Sequence, residues 1–264
     1  MTATEPPRPI SASTVVLLRD YHEGPQVLLL RRPPGSSFAA RAYVFPGGAV
    51  DAEDGDDAML ELAPDFDAAA AAHRIGLSGP SAAREAAAFH IAAVREVFEE
   101  SGVLMGRDSS GAALGISDIA RLHEARTELL GGAQFADVLA RHGFTITPEL
   151  LTYAARFVTP ISEPKRYDTR FFAALTDGVQ EASLHEAEAS EGGWQGAASI
   201  INRAEPLWML PPTRIMCRKV AAHGDAASAL AGLGAQPIDG SQITVAEVVR
   251  WAFEDAPIAA EPAV

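Results

Sequence analysis

The run Arg95-Glu96-Val97-Phe98-Glu99-Glu100-Ser101-Gly102-Val103 places one guanidinium and three carboxylates within six residues. On a helix, positions i, i+3 and i+4 are neighbours, so Glu96, Glu99 and Glu100 fall on one side. His90, Val94, Val97, Phe98 and Ser101 fall on the other, and that mainly apolar face is expected to pack inward. Exposed like charges at this spacing repel by about 0.2–0.5 kcal/mol per pair, and by more when partly buried. Arg95 offsets one of them through an i, i+4 contact with Glu99. The charge left over suits a hard divalent cation that takes oxygen ligands. The competing reading is an ordinary solvated acidic face, in a chain with 35 acidic residues.

Several elements must hold such a group in place. Residues 11–19 and 26–32 read as strands, each carrying a short apolar run, with turn chemistry at His22-Glu23-Gly24-Pro25 between them. Tyr43-Val44-Phe45 is a third short strand, stopped by Pro46-Gly47-Gly48. An acidic stretch over 51–67 and a weak helix at 68–72 follow. Ser81 is the expected N-cap of a long helix that runs to about Ser101 and is closed by Gly102. Further helices are expected at 117–130, 134–141, 211–222 and 226–233, with strands at 153–158 and 167–175 and a short one near Trp194. The order points to an α/β chain whose mixed sheet is covered by helices on both faces. His90 reads as a satisfied core histidine, Cys217 as a buried thiol on an apolar helix, and Trp194 and Tyr167 as packing residues.

Composition excludes some classes. The formal net charge is −14, which opposes general binding to nucleic acid. The chain shows no apolar run of about 18 residues, so no membrane span is expected. Residues 1–9 hold no apolar core of a secretory leader. The lone cysteine allows no intrachain disulfide. A reducing, cytoplasmic setting is the resulting expectation. An acidic protein acting on an anionic substrate needs a cation and well-placed arginines to overcome its own field.

The segment resembles the second half of the box that defines Nudix hydrolases, G-x5-E-x7-R-E-U-x-E-E-x-G-U with U aliphatic. Arg95, Glu96, Val97, Glu99, Glu100, Gly102 and Val103 match every fixed position of that half. Phe45-Pro46-Gly47-Gly48 resembles the first half, and Asp54 stands where the family has Glu. Forty residues, 55 to 94, then occupy the place of seven, so about 33 are inserted. A box split in this way is similar to a subfamily that includes the peroxisomal coenzyme A diphosphatases of animals. Residues 157–160, 164–172 and 210–213 also resemble that branch.

The resemblance implies one Nudix domain over 1–264, an α/β/α sandwich with a box insertion at about 55–87 and helical additions at about 117–141 and 211–233. It implies Mg2+ or Mn2+ held by Glu96, Glu99 and Glu100, with the Gly47 carbonyl as an addition. Arg95 would lock a glutamate in its ligating rotamer. Glu188 is the candidate further ligand or general base, ahead of Glu186 and Glu191. Arg31, Arg32, Arg41, Arg166 and Arg170 are candidate phosphate contacts, for which the planar guanidinium fork is suited; surface ion pairs are the competing reading for each. The implied activity is cleavage of a diphosphate in a nucleotide joined to another group, with coenzyme A or an acyl derivative as the favoured substrate. ADP-ribose, dinucleotides and nucleoside triphosphates stay open, as do a homodimer and a non-catalytic nucleotide sensor.

Overall fold

A computed structural model describes residues 6–36, 39–176, 178–183, 191–241, 244, 246–247 and 250. The strands β1 (Ile10–Tyr21) and β2 (Gly24–Arg31) form the expected hairpin, with Leu18 opposite Val27 and Tyr21 opposite Gly24. Beyond Leu18 the two strands diverge. The next segment fills the fork: β3 (Tyr43–Val44) pairs with β2, and β4 (Gly47–Ala49) pairs with β1. The double glycine therefore runs beside Ser13 and Thr14 in the middle of the sheet.

The inserted residues form a 3-10 turn at Ala52–Gly55 and two short helices, α1 (Asp57–Glu61) and α2 (Ala68–Arg74), before the long helix α3 (Ala82–Ser101). Met59, Ala71, Ala72 and Ile75 pack into the same apolar core as Ala82, Ala86 and Phe89 of α3. Ser81 stands at the N-cap position, but its hydroxyl bonds the Glu85 carboxylate and caps no backbone N–H. The foreseen C-cap is present: Gly102 has φ 75 and donates to the Phe98 carbonyl at 2.9 Å.

After α3 come β5 (Gly106–Asp108), α4 (Ile119–Leu130), α5 (Phe135–His142) and β6 (Phe144–Ile146); β5 and β6 pair antiparallel as a separate two-stranded sheet that the apolar pattern did not announce. β7 (Thr152–Val158) and β8 (Tyr167–Leu175) return to the main sheet, where β8 runs parallel to β1. β9 (Glu191–Gly196) lies along the other edge of β2. The helices α6 (Ala197–Ile201), α7 (Pro211–Ala221) and α8 (Ala226–Ala235) and the short β10 (Ile238–Asp239) follow.

Strand alternation sorts the sheet into two faces. Val15, Leu17 and Leu28 meet α3, α4 and α5, whereas Val16, Leu18, Val27 and Leu29 meet α6, α7 and α8. The mixed sheet between two helical layers is the expected α/β/α arrangement. Cys217 is fully buried in the second layer, where burial pushes its thiol up to about 12. No described helix is long and apolar enough to cross a membrane.

His90 is buried on the inward side of α3, and its Nδ1–H donates to the Ala86 carbonyl at 2.7 Å. Its ring lies 5.0 Å from that of Phe66 and 4.5 Å from that of Phe172. Burial pulls its pKa down to about 4, against the small upward pull of the Ala86 bond. The folded state thus holds His90 neutral while the unfolded chain takes up a proton below pH 6.5. The stability that this neutral histidine contributes is complete above pH 6.5 and lost as pH falls towards about 4, about 3 kcal/mol in all. Urea unfolding between pH 7 and 4.5 should show that slope in the wild type and a flatter one in His90→Gln.

Candidate metal and diphosphate site

The double glycine and the glutamate helix meet. The Gly47 N–H donates to Glu100 Oε2 at 2.9 Å. A Cβ on Gly48 would lie within 2.5 Å of the Glu96 carboxyl carbon, and one on Gly47 would lie 2.7 Å from Thr14 Cα. Neither position has room for a side chain, which is the physical reason for two glycines here. The helix is pinned to the sheet from the other side as well, because Ser13 Oγ donates to the Phe89 carbonyl at 2.6 Å.

Glu96 and Glu100 are 9% and 7% exposed, so the glutamates are not a solvated acidic face. Their burial corrects the two-sided picture of α3, in which only His90, Val94, Val97, Phe98 and Ser101 were expected to be covered. The charge is managed by Arg95, itself 7% exposed. Its Nη1 donates to Glu96 Oε1 at 2.8 Å and to Glu99 Oε1 at 3.3 Å. Its Nε and Nη2 grip both oxygens of Asp54 at 2.9 Å, and Nη2 also reaches the Ala49 carbonyl at 3.0 Å. These bonds occupy all five donors of the guanidinium. Burial alone would lower the pKa of Arg95, but the Asp54 bonds and the charges of Glu96, Asp54 and Glu99 outweigh it and raise the value.

Asp54 is the residue whose role the sequence did not reveal. It is 2% exposed, and its Oδ2 also accepts the Asp51 N–H at 2.8 Å. The 3-10 turn at Ala52–Gly55 brings its shorter side chain up to Arg95. The available signal was its position six residues past Gly48, with five between, read together with the preference of arginine for a bidentate carboxylate.

Among the described residues, no three acidic, histidine or cysteine side chains converge as a ready-made metal cage. Arg95 engages Glu96 and Glu99, and Glu100 is turned to Gly47. The donor set still fits a hard cation. Mg2+ characteristically keeps several waters and binds through one or two carboxylates plus substrate phosphate oxygens, so it does not require three convergent side chains. The Gly47 N–H bond to Glu100 keeps this stretch of backbone beside the box carboxylates.

The other candidates divide. Glu188 and Glu186 lie outside the described residues. Glu191 pairs with Arg31 at 3.0 Å and accepts the Tyr43 hydroxyl. The Tyr43 bond and the Arg31 charge hold its carboxyl below the usual range, which makes it a poor proton acceptor. Arg31 and Arg41 come together at the end of β2, where Arg31 Nε donates to the Arg41 carbonyl at 3.4 Å and Arg41 N to the Arg32 carbonyl at 3.2 Å. Arg166 donates to the carbonyls of Thr159 at 3.0 Å and Pro7 at 2.9 Å. Arg170 is 3% exposed, pairs with Asp168 and lies 5.0 Å over the Phe89 ring. Arg166 and Arg170 thus brace β8, with the Arg170–Asp168 pair matching the ion-pair reading that competed with phosphate contact.

Gly48→Ala tests the close approach directly. Displacing the Glu96 carboxylate by about 1 Å is expected to lower kcat by roughly tenfold to a hundredfold, at nearly unchanged KM. Steady-state kinetics on the purified variant would read both.

Comparison with known proteins identifies the family. The family model of the NUDT19 Nudix domain matches residues 8–219. The acyl-coenzyme A diphosphatase NUDT19 of Gallus gallus is 28% identical over 227 residues, covering 71% of this chain and 58% of that protein. Its counterpart in Homo sapiens is 27% identical over 254 residues, covering 83% and 64%. The chain therefore spans less than two thirds of the length of these relatives. A crystal structure of a Nudix hydrolase from Alicyclobacillus acidocaldarius aligns with a TM-score of 0.62 at 27% identity, covering 85% of this chain and 96% of that one.

Proposed function

The chain belongs to the Nudix hydrolase family, in the branch of the NUDT19 Nudix domain, and on that basis we propose that it hydrolyses the diphosphate of coenzyme A or an acyl-coenzyme A. The products would be 3′,5′-ADP and a 4′-phosphopantetheine species. The observation that carries the reading is the burial of Glu96 and Glu100 against a side-chain-free double glycine. Placing carboxylates there has no packing purpose and costs desolvation.

Glu96, Glu99 and Glu100 would hold Mg2+ or Mn2+, with the Gly47 carbonyl as a further oxygen. When bound, the cation screens the diphosphate charge and lowers the pKa of a coordinated water. The protein performs the remaining tasks. Arg95 fixes the rotamers of Glu96 and Glu99, and Asp54 fixes Arg95. The double-glycine strand lets a substrate oxygen approach the glutamates without a side chain in the way. Arg31, Arg32 and Arg41 would take up substrate phosphate at the end of β2. Glu188 is proposed as proton acceptor on its sequence position alone.

Purified protein offered coenzyme A, ADP-ribose, NADH, a dinucleoside polyphosphate and a nucleoside triphosphate with Mg2+ or Mn2+ tests the substrate. Coenzyme A should be cleaved fastest, with 3′,5′-ADP found by mass spectrometry. Rapid cleavage of a triphosphate with coenzyme A untouched would overturn the substrate and leave the family standing.

A further inference from the structure

We propose that Arg126 is a positioning residue for Glu99, acting through the main chain at the end of α3; this rests on the hydrolase reading above. The last carbonyls of a helix lack helical donors. Here the Glu99 carbonyl receives two N–H bonds from one side chain of α4, from Arg126 Nε at 2.9 Å and from Nη2 at 2.8 Å. The third nitrogen of the same guanidinium, Nη1, donates to Ser183 Oγ at 2.8 Å. Ser183 in turn donates its N–H to the Ser101 carbonyl at 2.8 Å. Gln180 clasps the adjoining peptide groups, accepting from Leu104 N at 2.9 Å and donating to Leu104 O at 3.0 Å. A Cβ on Gly102 would sit 3.1 Å from Arg126 Nη1, so the glycine also leaves space for the guanidinium.

The clamp fixes the backbone from which Glu99 and Glu100 project. Arg95 holds the Glu99 carboxylate, whereas Arg126 holds the Glu99 peptide group, and the two arginines approach from different elements. Arg126 is 9% exposed, and its positive charge also faces the negative end of the α3 dipole. Displacement of a reacting group by about 1 Å can cost a hundredfold in rate. An arrangement serving only stability would need a helix cap, which Gly102 already supplies.

The test uses the full chain and the variants Arg126→Lys, Arg126→Met and Ser183→Ala. Lysine keeps the charge but cannot reproduce the planar fork. Arg126→Lys should raise the Mn2+ Kd measured by calorimetry about tenfold. It should lower kcat for coenzyme A by a larger factor than it changes KM, and speed amide exchange across residues 98–103. Ser183→Ala should shift all three in the same direction by less. Folded Arg126→Lys or Arg126→Met protein with wild-type Mn2+ affinity, kcat and exchange at 98–103, and only a lower Tm, would overturn the proposal. If Arg126→Met does not fold, Arg126→Lys and Ser183→Ala decide it. A wild type that neither binds Mn2+ nor cleaves coenzyme A would defeat the hydrolase reading itself, and the exchange data would still say whether the clamp exists.

Discussion

Arg95→Met is expected to destabilise the fold by about 3–5 kcal/mol, because it leaves buried carboxylates without their cation. Asp54 is 2% exposed and Glu96 9%. Removing the guanidinium strips Asp54 of both its 2.9 Å bonds and Glu96 of its 2.8 Å bond. Methionine has similar length and packs well, so the loss reports charge and hydrogen bonding more than a cavity. An exposed ion pair removed in the same way would cost at most about 1 kcal/mol. Arg84 with Asp57, both well exposed on the insertion, supplies that comparison in Arg84→Met. Urea denaturation of the two variants beside the wild type would measure the difference. A loss below about 1 kcal/mol for Arg95→Met would mean that the buried charges find another partner.

Glu99→Gln has the larger expected effect on rate. Glu99 is the most exposed of the three box carboxylates, with a side chain 20% exposed against 12% for Glu96. The neutral amide keeps the volume and can still accept from Arg95. Folding should therefore be nearly unaffected, with Tm shifted by only a few degrees. The charge presented to a cation falls by one, and kcat should drop by roughly a hundred- to a thousandfold, the size seen when one electrostatic stabiliser is taken from a preorganised site. An unchanged rate in Glu99→Gln would reject the metal account for this chain.

Much of this was legible in short stretches of sequence, and the failures share one cause. The carboxylates at 96, 99 and 100 and the glycines at 47 and 48 announce themselves by local spacing, and the structure joins them through Gly47 and Glu100. The strand hairpin was also readable, because the apolar runs at 15–18 and 27–30 and the turn between them are local signals. The burial of Glu96 and Glu100 was not. The periodicity of α3 identifies its apolar side, but the β4 strand and the 3-10 turn at 52–55 cover the polar side, and both are distant in sequence. Asp54 was placed by counting and still not recognised, since its partner lies 41 positions away. Arg126 reads as one more cation on an amphipathic helix, and only the meeting of α4 with the end of α3 gives it a carbonyl to hold. The small β5–β6 sheet escaped because three-residue strands carry too little alternation to be seen.

Calorimetric titration of Mn2+ into the wild type and into the Glu96→Gln, Glu99→Gln, Glu100→Gln triple variant tests the central claim most directly. The account predicts saturable binding by the wild type and its abolition in a triple variant that keeps its folded circular dichroism. Equal binding by both proteins, or none by an active wild type, would contradict it.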